Sequence, residues 1–150
     1  MPVEGYDHVA ITVADVQSTI DFYERVLGAE LCFADRWRSG EMPVAIIQLG
    51  GCRMSIHPAA APAKPHALAP TPGSADLCFR WSGPITDAVA ALEGNRVAIV
   101  EGPVGRPASN GERGQSVYFR DPDENLIELL TTSAAPPQRT GGFAAGRNTE

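Results

Sequence analysis

The stretch Ser116-Val117-Tyr118-Phe119-Arg120-Asp121-Pro122-Asp123-Glu124-Asn125-Leu126-Ile127-Glu128-Leu129-Leu130 reads as strand, tight turn, strand. Branched and aromatic residues stand on both sides of an Asp-Pro-Asp-Glu-Asn turn, where Pro sets φ and the Asx side chains bond the local backbone. One carboxylate interrupts the second strand. Alternation puts Leu126, Glu128 and Leu130 on one face and Ile127 and Leu129 on the other, so Glu128 has apolar neighbours. An ionised group taken out of water is costly unless it is paired or bound to a metal, so Glu128 calls for a partner.

Working outward, the same order of elements is written twice. Asp7 to Val13 alternates and is β-branched, with Val9, Ile11 and Val13 on one face and His8, Ala10 and Thr12 on the other. Asp15 offers an N-cap, Val16, Ile20, Tyr23 and Leu27 make one helical face, and Gly28 is placed as a left-handed stop. Strands are predicted at Glu30 to Phe33, at Val44 to Leu49 and, after the Gly50-Gly51 turn, at Arg53 to His57. The second half follows with a strand from Asp76 to Trp81, a helix from Ile85 to Leu92 stopped at Gly94-Asn95, and strands at Val97 to Val100, Ser116 to Arg120 and Leu126 to Leu130. Each half is β-α-β-β-β. Superposed, Asp76 falls on His8, Gly94 on Gly28 and Glu128 on Ser55. The predicted fold is α+β: two βαβββ modules, residues 3–58 and 74–131, forming a cup-shaped mixed sheet within a single domain of residues 1–131.

Residues 59–73, rich in Pro and Ala, form an extended linker, and residues 132–150 read as a disordered tail. Gly102 to Gly114, dense in Gly and Pro, is predicted as a mobile loop of the kind that forms lids. Arg36-Trp37-Arg38 is read as an exposed loop. A net charge of −6 gives no footprint for nucleic acid, and no apolar run approaches the ~20 residues of a membrane span. The start lacks the features of a signal peptide, which places the chain in the cytoplasm. Cys32, Cys52 and Cys78 are odd in number and widely spaced in apolar strand contexts, so they are read as structural thiols.

In such a repeat the face of each sheet opposite its helix lines a cup. His8, Ser55, Asp76 and Glu128 all fall on that face and are expected to converge. An imidazole with one or two carboxylates suits a divalent ion such as Mn, Fe, Ni, Zn or Mg, with positions left open for water and substrate.

The layout, with Asp7-His8-Val9-Ala10-Ile11-Thr12-Val13 at the start and Tyr118 to Glu128 at the end, resembles the vicinal oxygen chelate superfamily. That superfamily includes glyoxalase I, fosfomycin and bleomycin resistance proteins, methylmalonyl-CoA epimerase and extradiol dioxygenases. Ile56-His57-Pro58 followed by Pro70-Thr71-Pro72-Gly73-Ser74-Ala75-Asp76-Leu77-Cys78-Phe79 looks most similar to a subgroup like glyoxalase-domain-containing protein 5. The resemblance implies His8 as the first-strand metal ligand and Glu128 as the last-strand ligand and catalytic group. Asp76 stands where many members have a second histidine, Ser55 where glyoxalase I has a glutamate, and Glu124 where the turn usually has glycine. It also implies a homodimer.

Each residue has a structural reading beside the functional one. His8 could bond Asp76 or Glu128 in a metal-free cup, and Glu128 could pair with Arg80. His57 could supply a second imidazole or sit at the rim, while His66 lies solvated in the linker. His57, Trp37, Arg80 and Tyr118 are candidates to contact substrate, and Trp81 to line the cup or pack as core. Two functions follow. One is a metal-dependent lyase or isomerase, with dioxygenase chemistry less suited because the second histidine is absent. The other is a metal-free binding module that sequesters an aromatic or antibiotic-like molecule, stacked on Trp37, Trp81 and Tyr118.

Overall fold

The computed structural model describes residues 1–133. Strand β1 (Val9–Val13) leads into helix α1 (Val16–Leu27), then β2 (Glu30–Cys32), a short helix α2 (Ala34–Arg38), β3 (Ala45–Leu49) and β4 (Cys52–Pro58). The second half holds β5 (Asp76–Arg80), α3 (Ile85–Gly94), β6 (Ile99–Pro107), β7 (Arg113–Arg120) and β8 (Leu126–Thr131). Among the described residues no helix is long and apolar enough to cross a membrane.

Local chemistry sets the boundaries of α1. Asp15 is extended and its Oδ1 accepts the Ser18 N–H at 2.7 Å, while Gly28 turns left-handed at φ 65° and donates its N–H to the carbonyls of Tyr23 and Glu24. The predicted apolar stripe holds, with Ile20 and Tyr23 fully buried and Val16 and Leu27 partly so.

Two four-stranded mixed sheets result, in the orders β1-β4-β3-β2 and β5-β8-β7-β6. In each the first and last strands of a module pair in parallel, through Ala10 with Ser55 and through Cys78 with Glu128. One core runs through both modules, joining Ile11, Val13, Ile47 and Ile56 to Val117, Phe119, Ile127 and Leu129. The join is specific: Phe22 of α1 packs at 6.3 Å from Phe119, and Arg25 Nη1 donates to the Asn95 carbonyl. Beneath it the fully buried Tyr23 hydroxyl donates to Asp121 Oδ2 at 3.0 Å. Asp121 also receives the N–H groups of Asp123 and Asn125 and the Asn125 amide, so one carboxylate organises the turn and ties it to the other module.

Three expectations are corrected. Most of the supposed mobile loop is strand: β6 runs to Pro107 and β7 begins at Arg113. Proline is tolerated because β6 is an edge strand, and Gly102, at φ 107°, is required because a Cβ would lie 2.5 Å from the Ser116 carbonyl. Arg36-Trp37-Arg38 lies in α2, and Trp37 packs against the core. The thiols are not buried, since Cys52 and Cys78 are exposed and Cys32 is half-buried. Of the predicted tail, residues 134–150 fall outside the described residues.

Candidate functional site

The face of the second sheet opposite the core is polar around Glu128. Cross-strand register brings Cys78, Glu128, Tyr118 and Glu101 into one row. The Ser116 hydroxyl, fully buried, donates to Glu128 Oε1 at 2.5 Å. Burial, reinforced by the Glu128 carboxylate, pushes the Cys78 thiol up to about 12. The Tyr118 hydroxyl is held above its ordinary value by burial, with Arg106 opposing and Glu128 adding to the shift. Arg106 stacks over the Tyr118 ring at 5.7 Å, gives its Nε–H to the Tyr118 oxygen at 3.2 Å, and bonds Glu101 at 3.0 Å. The apolar surroundings predicted for Glu128 are therefore replaced by hydroxyl and thiol groups. The polar atoms come from strands that alternation along β8 alone does not see.

Arg80 is not the partner of Glu128. Its Nη2 donates to Thr132 at 2.7 Å. The ion pairs among the described residues join His8 to Asp7, Arg36 to Glu41 and Arg106 to Glu101, and Glu128 is in none of them.

The corresponding face of the first sheet carries imidazoles. His8 gives its Nδ1–H to Asp7 Oδ1 at 2.7 Å and is exposed, so the bond to Asp76 or Glu128 is not made. Ser55 is 3% exposed and lies 3.1 Å from His57 Nε2. Burial, then the neighbouring His8 and His66, hold His57 below its ordinary value. His57 and His66 line one cavity of about 350 Å³ with Thr12.

The predicted residues thus gather in two groups: His8, Ser55 and His57 on the first sheet, and Asp76, Glu128, Arg80 and Tyr118 on the second. Among the described residues no three His, Cys, Asp or Glu side chains stand close enough to hold one metal ion. One imidazole and two carboxylates suit a divalent ion in kind. Among the described residues they do not fit it in position within a single chain. Sequence reading missed Ser116, Arg106 and the placing of His66. Ser116 was findable, two residues from Tyr118 on the same strand face; Arg106 was hidden by the loop assignment of its segment.

Two βαβββ modules sharing one core, each with a polar sheet face on the other side, define a tandem-module α+β protein. The Glyoxalase/Bleomycin resistance protein/Dioxygenase superfamily model matches residues 5–129, and the chain belongs to that superfamily. It is 43% identical over 129 residues to virulence protein STM3117 of Salmonella typhimurium, covering 86% of this chain and 85% of that protein. It is 39% identical to the glyoxalase domain-containing protein RDO1 of Mycosarcoma maydis, covering 86% of this chain and 69% of the relative. The crystal structure of STM3117 superposes with a TM-score of 0.79 at 38% identity, covering 89% of this chain and all of that one.

Proposed function

We propose that this protein is a divalent-metal-dependent lyase or isomerase acting on a small substrate that offers two oxygens, with each cup completed between two copies of the chain. Glu128 carries the reading. Its carboxylate is surrounded by the neutral donors Ser116, Cys78 and Tyr118, and no cationic side chain among the described residues is bonded to it. A carboxylate so placed complements a cation that arrives from outside. The missing imidazole would be His8 of a second copy, whose Nε2 is free because Nδ1 is fixed on Asp7. Val3, Tyr6 and Val9, leading into and along β1, expose apolar surface for such a pairing.

A bound ion would polarise a substrate oxygen and lower the energy of the negative charge that develops there. The chain supplies the rest. Ser116 holds one oxygen of Glu128, leaving the carboxylate oriented to take a proton from the substrate and return it. Tyr118, fixed by Arg106, presents a hydroxyl to a developing oxyanion. Arg80 brings positive charge to the same sheet face, suited to an anionic substrate, with His57 contributing from the first sheet. Trp37 packs against the core and drops out of the substrate set.

A second reading, metal-free sequestration, is favoured by a cleft that adjoins the site and shares Cys78 and Arg80 with it. Leu27, Leu49, Phe79, Trp81 and Leu129 line about 490 Å³ of largely apolar space, enough for a small aromatic guest. Elemental analysis of tag-free protein distinguishes the two. About one equivalent of Mn, Fe, Ni or Zn per chain above the amount that His8→Ala and Glu128→Gln each retain is the result expected from the enzyme. Equal metal content in the three proteins after reconstitution with each ion, together with quenching of tryptophan emission by aromatic ligands, would replace the enzyme with the binding module.

A further inference from the structure

Of the chain's three histidines, His57 and His66 line one cavity. His66 comes there on the segment between β4 and β5. That segment is tied at both ends: the Ala59 N–H donates to the Val13 carbonyl, and the Ala75 N–H donates to Asn125 Oδ1 at 2.9 Å. Gly73 packs so closely on the turn that a Cβ would lie 2.7 Å from the Asp123 carbonyl. Between these anchors the segment passes beside β1 and, through Pro65, His66, Ala67 and Pro70, forms one wall of an open cavity shared with His57 and Thr12. A spacer free in solvent would make no such cavity.

Hydrogen bonds fix which ring nitrogens remain open. The Ala67 carbonyl can only accept, so the His66 Nδ1 at 2.8 Å from it carries the proton and Nε2 is left with a lone pair. In His57 the nitrogen engaged with Ser55 is Nε2, which leaves Nδ1. An imidazole with one nitrogen anchored on a carbonyl or hydroxyl and the other open is the arrangement of metal-bound histidines.

We propose that His57 and His66 form a bis-imidazole site for a borderline divalent cation such as Zn²⁺, separate from the carboxylate face of Glu128. The ion is held by His57 Nδ1 and His66 Nε2, with water filling the remaining positions. His8 is the neighbouring imidazole, but the three rings do not stand within reach of a single ion.

The test is Zn²⁺ binding to the tag-free full chain, measured by competition with a chromophoric chelator in a Glu128→Gln background that removes the other candidate ligand set. Binding is expected to persist there and to weaken by about tenfold or more on adding either His57→Ala or His66→Ala. His66 is exposed on the connecting segment, so its replacement leaves the core intact. Ring ¹⁵N spectra of the Glu128→Gln protein should show His57 Nδ1 and His66 Nε2 shifting on saturation. Zn²⁺ binding abolished by Glu128→Gln, unaltered by both alanine variants, or unaccompanied by shifts of those two rings would overturn the site.

Discussion

At the scale of single residues, Cys78 gives the sharpest prediction because area and chemistry point in opposite directions. Its side chain is exposed, which favours modification, yet burial of the thiol group and the nearby Glu128 push its ionisation up to about 12. A thiol of that acidity holds roughly one thiolate in ten thousand at pH 8, and the thiolate is the nucleophile. Iodoacetamide should therefore label Cys78 slowly, and Glu128→Gln should speed labelling several-fold, as read by peptide mass spectrometry. Equal rates in the two proteins would remove Glu128 as a cause. The same shift has a consequence for stability. Above pH 9.0 the unfolded thiol loses its proton while the folded one keeps it to about 12, so the unfolded state binds fewer protons and stability falls across that window. What was legible here was the presence of Glu128 on a sheet face. Its actual neighbours were not, because Cys78 and Ser116 reach it through strand pairings that alternation within β8 does not encode.

Among the elements, the β7–β8 turn holds the modules together. Asp121 is 4% exposed and accepts bonds from Tyr23, Asp123 and Asn125, so Asp121→Ala strands a buried phenol, two backbone N–H groups of the turn and the Asn125 side-chain amide. The expected loss is about 2–4 kcal/mol, measured by urea unfolding with an unchanged slope. A loss below about 0.5 kcal/mol would show that the network contributes nothing net. The adjacent Glu124 makes the opposite case. It sits left-handed at φ 67°, where a side chain is strained, while the bond it receives from Arg120 goes to its backbone carbonyl. Glu124→Gly keeps that bond and relieves the backbone, for an expected gain of about 1 kcal/mol in the same measurement. Both caps of α1 and the turn itself were readable because they rest on local bonds. β6 was not, since Gly102, Pro103, Gly105 and Pro107 carry loop composition, and only the position at a sheet edge makes them strand.

For the whole molecule, periodicity assigned residues to sheet faces, whereas which faces meet depends on packing that no repeat in the chain specifies. The modules join through Phe22, Tyr23, Phe119 and Asp121 around one core, and that union leaves His8 on one sheet and Asp76 and Glu128 on the other, without a three-ligand set among the described residues of one chain. A cup completed between copies makes a quantitative demand. His8→Ala and Glu128→Gln each remove every intact site from their own homodimers. Mixed after reversible unfolding, the two variants form heterodimers in which one cup combines both lesions and the other combines native His8 with native Glu128. Random pairing makes about half the dimers mixed, so about a quarter of all sites are restored. Metal content and turnover in the mixture should rise from background to about a quarter of the unmodified protein and stay at background when the variants are kept apart. A mixture that stays at background while native mass spectrometry shows heterodimers would place the whole site within one chain and require the modules to rearrange on binding.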